Sequence, residues 1–259
     1  MTKLVYSTIQ RSRMRDTARS ILACGAVAGP LFATVGLAQA FSRAGFDLNQ
    51  HTLSLLSNGD LGWIQIANFV VSGALFVAAA TGMRRVVTSR RAATWGPRLI
   101  AVFGAGTVAA GAFVPDPAYG FPLGTPDSKP ISVSWHGALH YTIASLAFLA
   151  LIVACFVFAG RFRSLGQRGW AICSMLIGAL LVVGVGAISS GSHNATANLS
   201  FVTAALLGFL WVSALATRDS VPRQGRRHRC DRLGRPASRR PHQPLASTPT
   251  RNHDRRMIL

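Results

Sequence analysis

The 259-residue chain is 50% hydrophobic and only 14% charged, and it carries a formal net charge of +19. Soluble domains are nearer a quarter charged, so this balance excludes an ordinary water-soluble enzyme and points to a membrane protein. The excess charge is local, because 12 of the 27 basic residues lie from Arg218 onward, and all eight acidic residues are Asp.

The basic residues are 25 Arg against 2 Lys, a skew that suggests the codon usage of a GC-rich bacterial genome. Cys24, Cys155 and Cys173 sit in apolar runs and Cys230 in the basic tail. No pair has the spacing of a disulfide framework or a zinc knuckle.

In chain order, residues 1–19 form a basic N-terminus with five Lys or Arg. Residues 20–42 are then free of charge for 23 positions. A hydrocarbon core about 30 Å thick takes roughly 20 residues of helix, so this run is the first expected span. Gly25, Gly29, Ala33 and Gly36 recur along one face and mark a close helix contact. The "AQA" at 38–40 also resembles a secretory cleavage site, but the run is long for a signal core, so an uncleaved span is expected.

The stretch "FDLNQHTLSLLSNGDLGW" (46–63) is amphipathic, with His51 and Asp60 among its polar residues and Leu53, Leu55 and Leu56 among its apolar ones. It reads as a cover over the mouth of a bundle. A second span follows at about 61–83, with Asn68 expected to hydrogen-bond between helices.

The 84–98 loop holds five Arg, and a shorter third span of 17 residues runs over about 99–115, with Gly104, Thr107 and Gly111 as its contact face. "PDPAYGFPLGTPDSKP" (115–130) has five prolines in sixteen residues, whose fixed φ stiffens the loop. The fourth span is expected at about 136–159. The fifth (170–190) and sixth (198–217) share a charge-free stretch of 49 residues that breaks at "SSGSHNATAN" (189–198).

Lys and Arg counts in short loops set orientation. The N-terminus, the 84–98 loop and the 161–168 loop hold five, five and three, whereas the opposite loops hold only Arg43, Lys129 and none. The expected architecture is therefore all-α: six transmembrane helices in the cytoplasmic membrane with both termini in the cytoplasm. Residues 218–259 read as an Arg/Pro-rich disordered tail suited to anionic lipid headgroups, with no specific nucleic-acid recognition. A shifted reading frame in a GC-rich gene would encode the same composition.

With that orientation, His51, Asp47, Asp60, Asp116, Asp127 and His193 fall on the extracytoplasmic side, where His136 and His140 begin the fourth span. Residues four apart share a helix face, and His140 lies about 6 Å deeper than His136. The pair could hold zinc through imidazole nitrogens if Asp116, His51 or His193 supplied a third ligand, and a zinc-bound water could then attack a lipid ester or amide. The simpler reading is that interfacial histidines bond water, headgroups or loop carbonyls. The expected function is binding of a membrane lipid or small amphiphile at an outer polar mouth formed by His51, Asp60, Asp116, His136 and His140. Asp116, His136 and His140 are also the catalytic and metal candidates of the zinc-dependent hydrolase alternative. A transporter or a structural membrane protein is the third reading. No Gly-rich phosphate loop or G-x-S-x-G is present.

"HTLSLLSNGDLGWIQIANFVVSGAL" (51–75), "GAFVPDPAYGFPLGT" (111–125) and "SWHGALHYTIASLAF" (134–148) together resemble the domain-of-unknown-function 998 family of bacterial membrane proteins. The resemblance covers about 20–217 and implies a six-helix integral membrane architecture, with no activity to carry across. The Ser, Asp and H-x-x-x-H inventory is also similar to that of alkaline ceramidases, which have seven spans and a second, distal histidine motif that this chain lacks.

Overall fold

The structure is a computed structural model that describes residues 2–87, 90–191 and 194–220. The Arg/Pro-rich tail from residue 221 and His193 lie outside the described residues. The described residues form six α-helices: α1 (Thr2–Ser42), α2 (Gly62–Val86), α3 (Arg90–Ala112), α4 (Trp135–Ser164), α5 (Arg168–Ser189) and α6 (Ala195–Ser220). A short 3₁₀ turn, Leu53–Ser57, lies between α1 and α2.

Five of the six helices are long and apolar enough to cross a membrane, α3 being the exception. That helix starts at Arg90, nine residues before the expected Leu99, and so includes Arg90, Arg91 and Arg98 in its first half. The first helix also starts earlier than the charge-free run, at Thr2, because residues 2–19 contain no Gly or Pro to stop it. The fourth continues to Ser164, with Arg161 and Arg163 in its last turn, where cations suit the helix dipole. The sixth runs to Ser220, three residues beyond its expected end.

Each helix packs antiparallel to its neighbour in sequence, and α6 returns to α1, so the six close into a ring. The antiparallel order is visible in paired residues. Gln39 meets Gln65 at one end of the α1–α2 seam, and Gly25 meets Ala79 toward the other. Gly73 and Gly104 bring the α2 and α3 backbones together: a methyl on either would lie 2.7 or 2.8 Å from the other's carbonyl oxygen. Gly111 packs further along the same seam against Phe69.

Gly29 closes the ring. A Cβ there would sit 2.5 Å from the Phe209 carbonyl, and its N–H donates to Ser213 Oγ at 2.8 Å, while the Ser213 hydroxyl donates to the Gly25 carbonyl. Small residues thus permit the close approach on which lipid-embedded helices rely. Thr107, expected on the α3 seam, instead lines an internal cavity and returns its hydroxyl proton to the Phe103 carbonyl.

Aromatic side chains fill the middle of the ring. Phe76, Phe103 and Phe209 lie within 4.9–5.5 Å of one another, and Phe32 packs on Phe209 and Phe69 at 4.5 and 5.2 Å. The outer faces of α4 and α5 are apolar and uncovered, as with Leu146, Leu149, Val153, Ile172, Leu176 and Val183, which is the surface a hydrocarbon environment requires. Asn68 makes the interhelical bond expected of it, donating to the Phe32 carbonyl at 3.1 Å within a buried ladder of Gln39, Gln65, Asn68 and Ser72.

Antiparallel order gathers the loops 43–61 and 113–134, the end of α5 and the start of α6 at one end of the ring. The end of α2, the start of α3 and the 165–167 connection lie at the other, arginine-rich end.

Candidate functional site at the loop-rich end

Three of the sequence-predicted residues meet where α3 ends and α4 begins. The N-terminus of α4 leaves backbone N–H groups without helical partners. Ser134 caps it, its Oγ accepting from the Gly137 N–H at 3.1 Å. Asp116 accepts the Ser134 N–H at 2.9 Å and lies against Gly137, where a Cβ would collide with its carboxylate oxygen. A buried carboxylate at the positive end of a helix is favourably placed.

His136 points Nδ1 at the Val114 carbonyl, 3.1 Å away, and at Ser134 Oγ. One turn deeper, His140 points Nδ1 between the carbonyls of Ala110 and Phe113, at 2.9 and 2.7 Å. Carbonyls only accept, so His140 carries a proton on Nδ1, and in its neutral form Nε2 is the acceptor nitrogen. The ring is 2% exposed and lines a cavity.

The cavity measures about 330 Å³ and opens inside the ring between α3, α4, α5 and α6, a volume at the lower end of the range for small-molecule sites. Its walls are mainly aromatic and aliphatic, with Phe69, Phe103, Phe148, Phe201 and Phe209 on the inside. His140, Tyr141, Thr107, Ser145, Thr52 and Ser54 supply its polar points. Thr52, Leu53 and Ser54, at the 3₁₀ turn, form its cover, the position expected for the 46–63 stretch.

His51 lies elsewhere, within the cover. It is 2% exposed, its Nδ1 accepts the Asp47 N–H at 2.9 Å, and its Nε2 donates to the Tyr119 carbonyl at 2.7 Å. Both nitrogens are engaged, so His51 ties the 43–61 loop to the proline-rich loop. Tyr119 has a left-handed φ of +54°, unusual for a residue with a side chain, and hydrogen bonds on both sides of the turn hold it there. Burial pushes the Tyr119 phenol above its ordinary range. The Asn49 backbone N–H holds the Asp47 carboxyl below its own.

Arg43 donates to the Leu56 and Asn58 carbonyls and stacks on Phe121. Asp60 is exposed just before α2 and is not gathered with the histidines. Among the described residues, no group of three His, Cys, Asp or Glu could hold a metal ion.

A second, smaller cavity of about 190 Å³ shares Thr52, Tyr141 and Ile188 with the first and is lined as well by Gln50, Tyr119, Lys129 and Asn198. Tyr119, Lys129, Tyr141 and Asn198 escape the sequence reading, although each carries a signal. Tyr141 follows His140 directly, Lys129 is one of two cations in the outer loops, and Asn198 ends the polar break before α6.

Apolar helices closed around a polar-rimmed cavity define a multi-pass helical membrane protein. Residues 26–218 match the sequence family described as "Protein of unknown function (DUF998)", and the chain belongs to that family. No curated protein and no solved structure matches it.

Proposed function

We propose that this protein binds the apolar tail of a lipid or small amphiphile in the cavity between α3 and α6, with the loop-rich end facing the extracytoplasmic side. The observation that carries this reading is the cavity itself, an aromatic chamber of about 330 Å³ with one imidazole, His140, in its wall. Arginine placement supports the orientation. Arg84, Arg85, Arg90, Arg98, Arg161, Arg163 and Arg168 all lie toward the other end. In this reading α3 crosses as well, because it sits between α2 and α4 in the ring and its arginines occupy only the half near that end.

The test is lipid analysis of the purified protein beside Ala144→Phe, which places a ring in the cavity wall. The native chain retains a stoichiometric amphiphile, and the variant loses most of it while unfolding at the same temperature or higher. An amphiphile retained equally by both would overturn the reading.

A second reading, a zinc-dependent membrane hydrolase using His136, His140 and Asp116, requires these three to close on a metal from the separate positions they hold here, and it has one observation in its favour. Both histidines spend Nδ1 on backbone carbonyls, the arrangement that orients ligating histidines and leaves Nε2 for a metal. It predicts about one zinc per chain by plasma mass spectrometry, lost in His136→Ala/His140→Ala.

A further inference from the structure

The smaller cavity says what kind of head the amphiphile carries. It adjoins the tail chamber through Thr52, Tyr141 and Ile188, so a molecule with its tail in the first would place its head in the second. We infer that this vestibule takes an anionic, oxygen-rich headgroup of the phosphate-monoester class, with Lys129 as the residue that selects its charge. The inference rests on the tail-binding reading above.

Four observations converge on it. Among the described residues, Lys129 is the one Lys or Arg in the vestibule wall, and no acidic residue lines that wall with it. Asp127, two residues away, is exposed and lies outside the wall. The other cation of these loops, Arg43, is committed to the Leu56 and Asn58 carbonyls, so Lys129 is left to balance an incoming anion. The remaining polar wall is uncharged: the Tyr119 and Tyr141 phenols, the Thr52 hydroxyl, which pairs with Ser54, and the Gln50 amide, which meets the Asp47 carboxylate.

Asn198 adds an unmet demand. Its amide nitrogen donates to the Leu48 and His51 carbonyls, whereas its Oδ1 has no hydrogen-bond partner although the residue is 1% exposed. A buried acceptor without a donor calls for an explanation. The hydroxyl of a singly protonated phosphate monoester, whose second pKa is about 6, supplies such a donor, while its other oxygens accept from Lys129 and Tyr141. A carboxylate with no adjacent hydroxyl would satisfy Lys129 and leave Asn198 unmet.

The test uses the full chain in zwitterionic phosphatidylcholine nanodiscs, with uptake by empty nanodiscs subtracted. The probes are radiolabelled dodecyl phosphate, dodecanol with the same tail and no charge, and inorganic phosphate with no tail. Dodecyl phosphate is expected to bind at least about tenfold more tightly than dodecanol. Lys129→Glu is expected to remove that preference and leave dodecanol binding unchanged. Lys129→Arg keeps the preference, and inorganic phosphate at equal concentration does not compete. Lys129 is exposed in a loop, so these variants leave the helix ring intact.

Equal affinity for the two dodecyl probes overturns the headgroup assignment and leaves tail binding standing. So does a Lys129→Glu variant that behaves as the native chain, or inorganic phosphate binding as tightly as dodecyl phosphate. Failure of both dodecyl probes to bind overturns the tail reading, and this one with it.

Discussion

His51 shows how a residue whose type suggests chemistry can be held in a structural role. One ring nitrogen accepts the Asp47 N–H and the other donates to the Tyr119 carbonyl, so the side chain clasps two loops across 68 residues of sequence. Replacement by Phe keeps the packing against Phe46 and Phe121 but strands a buried donor and a buried acceptor. The expected cost is about 1–3 kcal/mol, read as a lower midpoint in denaturant titration of the detergent-solubilised protein. The clasp also has a pH dependence through Asp47. Its folded carboxyl titrates below the ordinary range because it accepts the Asn49 N–H, so the stability it contributes is present above the unfolded value and is lost as pH falls through the folded one. Asp47→Asn should flatten that acid limb in unfolding curves recorded between neutral and acidic pH.

At the scale of the elements, the seams are set by backbone approach. Gly29→Ala would put a methyl 2.5 Å from the Phe209 carbonyl, and the rigid backbone there cannot yield, so α1 and α6 must separate. Overpacking of this kind costs about 1–3 kcal/mol. Gly160→Ala, with nothing within 4 Å of the added methyl, is the matched control and should unfold at the native temperature or slightly above.

The other end of α6 is pinned differently. Arg161 pairs with Asp219 at 3.4 Å with both side chains 7% exposed, and Arg218 stacks over Phe162 and Trp170. Asp219→Ala removes one partner of a buried pair and should cost about 3 kcal/mol, more than the ~1 kcal/mol expected when Asn68→Ala breaks the α1–α2 amide ladder. Thermal unfolding of the two variants in one detergent checks the order.

For the molecule as a whole, orientation is the property to test. Leu123→Cys, exposed in the loop-rich end, should react in whole cells with a membrane-impermeant thiol reagent, and a cysteine at Gly166 should react only after lysis. Labelling in the opposite order would invert the proposed topology and place the cavity mouth in the cytoplasm.

Much of this architecture is legible in one sequence, because a bilayer imposes a length and a polarity on every segment that crosses it. Charge-free runs locate α1, α2, α4, α5 and α6 without any tertiary information, and Gly25, Gly29, Gly104 and Gly111 announce seams that the ring uses. Where the sequence reading falls short, the cause is local. Charges at the ends of α1, α3 and α4 interrupt an apolar pattern without interrupting a helix, since Arg is a good helix former and its long side chain can reach water from an interfacial turn. The histidines were legible as a pair on one face but not in their bonding, because the Ala110, Phe113 and Val114 carbonyls that orient them belong to another segment. The sequence by itself determined that the chain is a bundle of apolar helices with four of its seven histidines and four of its eight aspartates toward one end, because hydrophobicity and charge are properties of each residue. Only the tertiary structure decided that the ring leaves a chamber between its helices, that His140 lines it while His51 locks its cover, and that Lys129, Tyr119, Tyr141 and Asn198 share one vestibule. Enclosure and hydrogen-bond partnership are relations between segments far apart in the chain, and no single stretch encodes them.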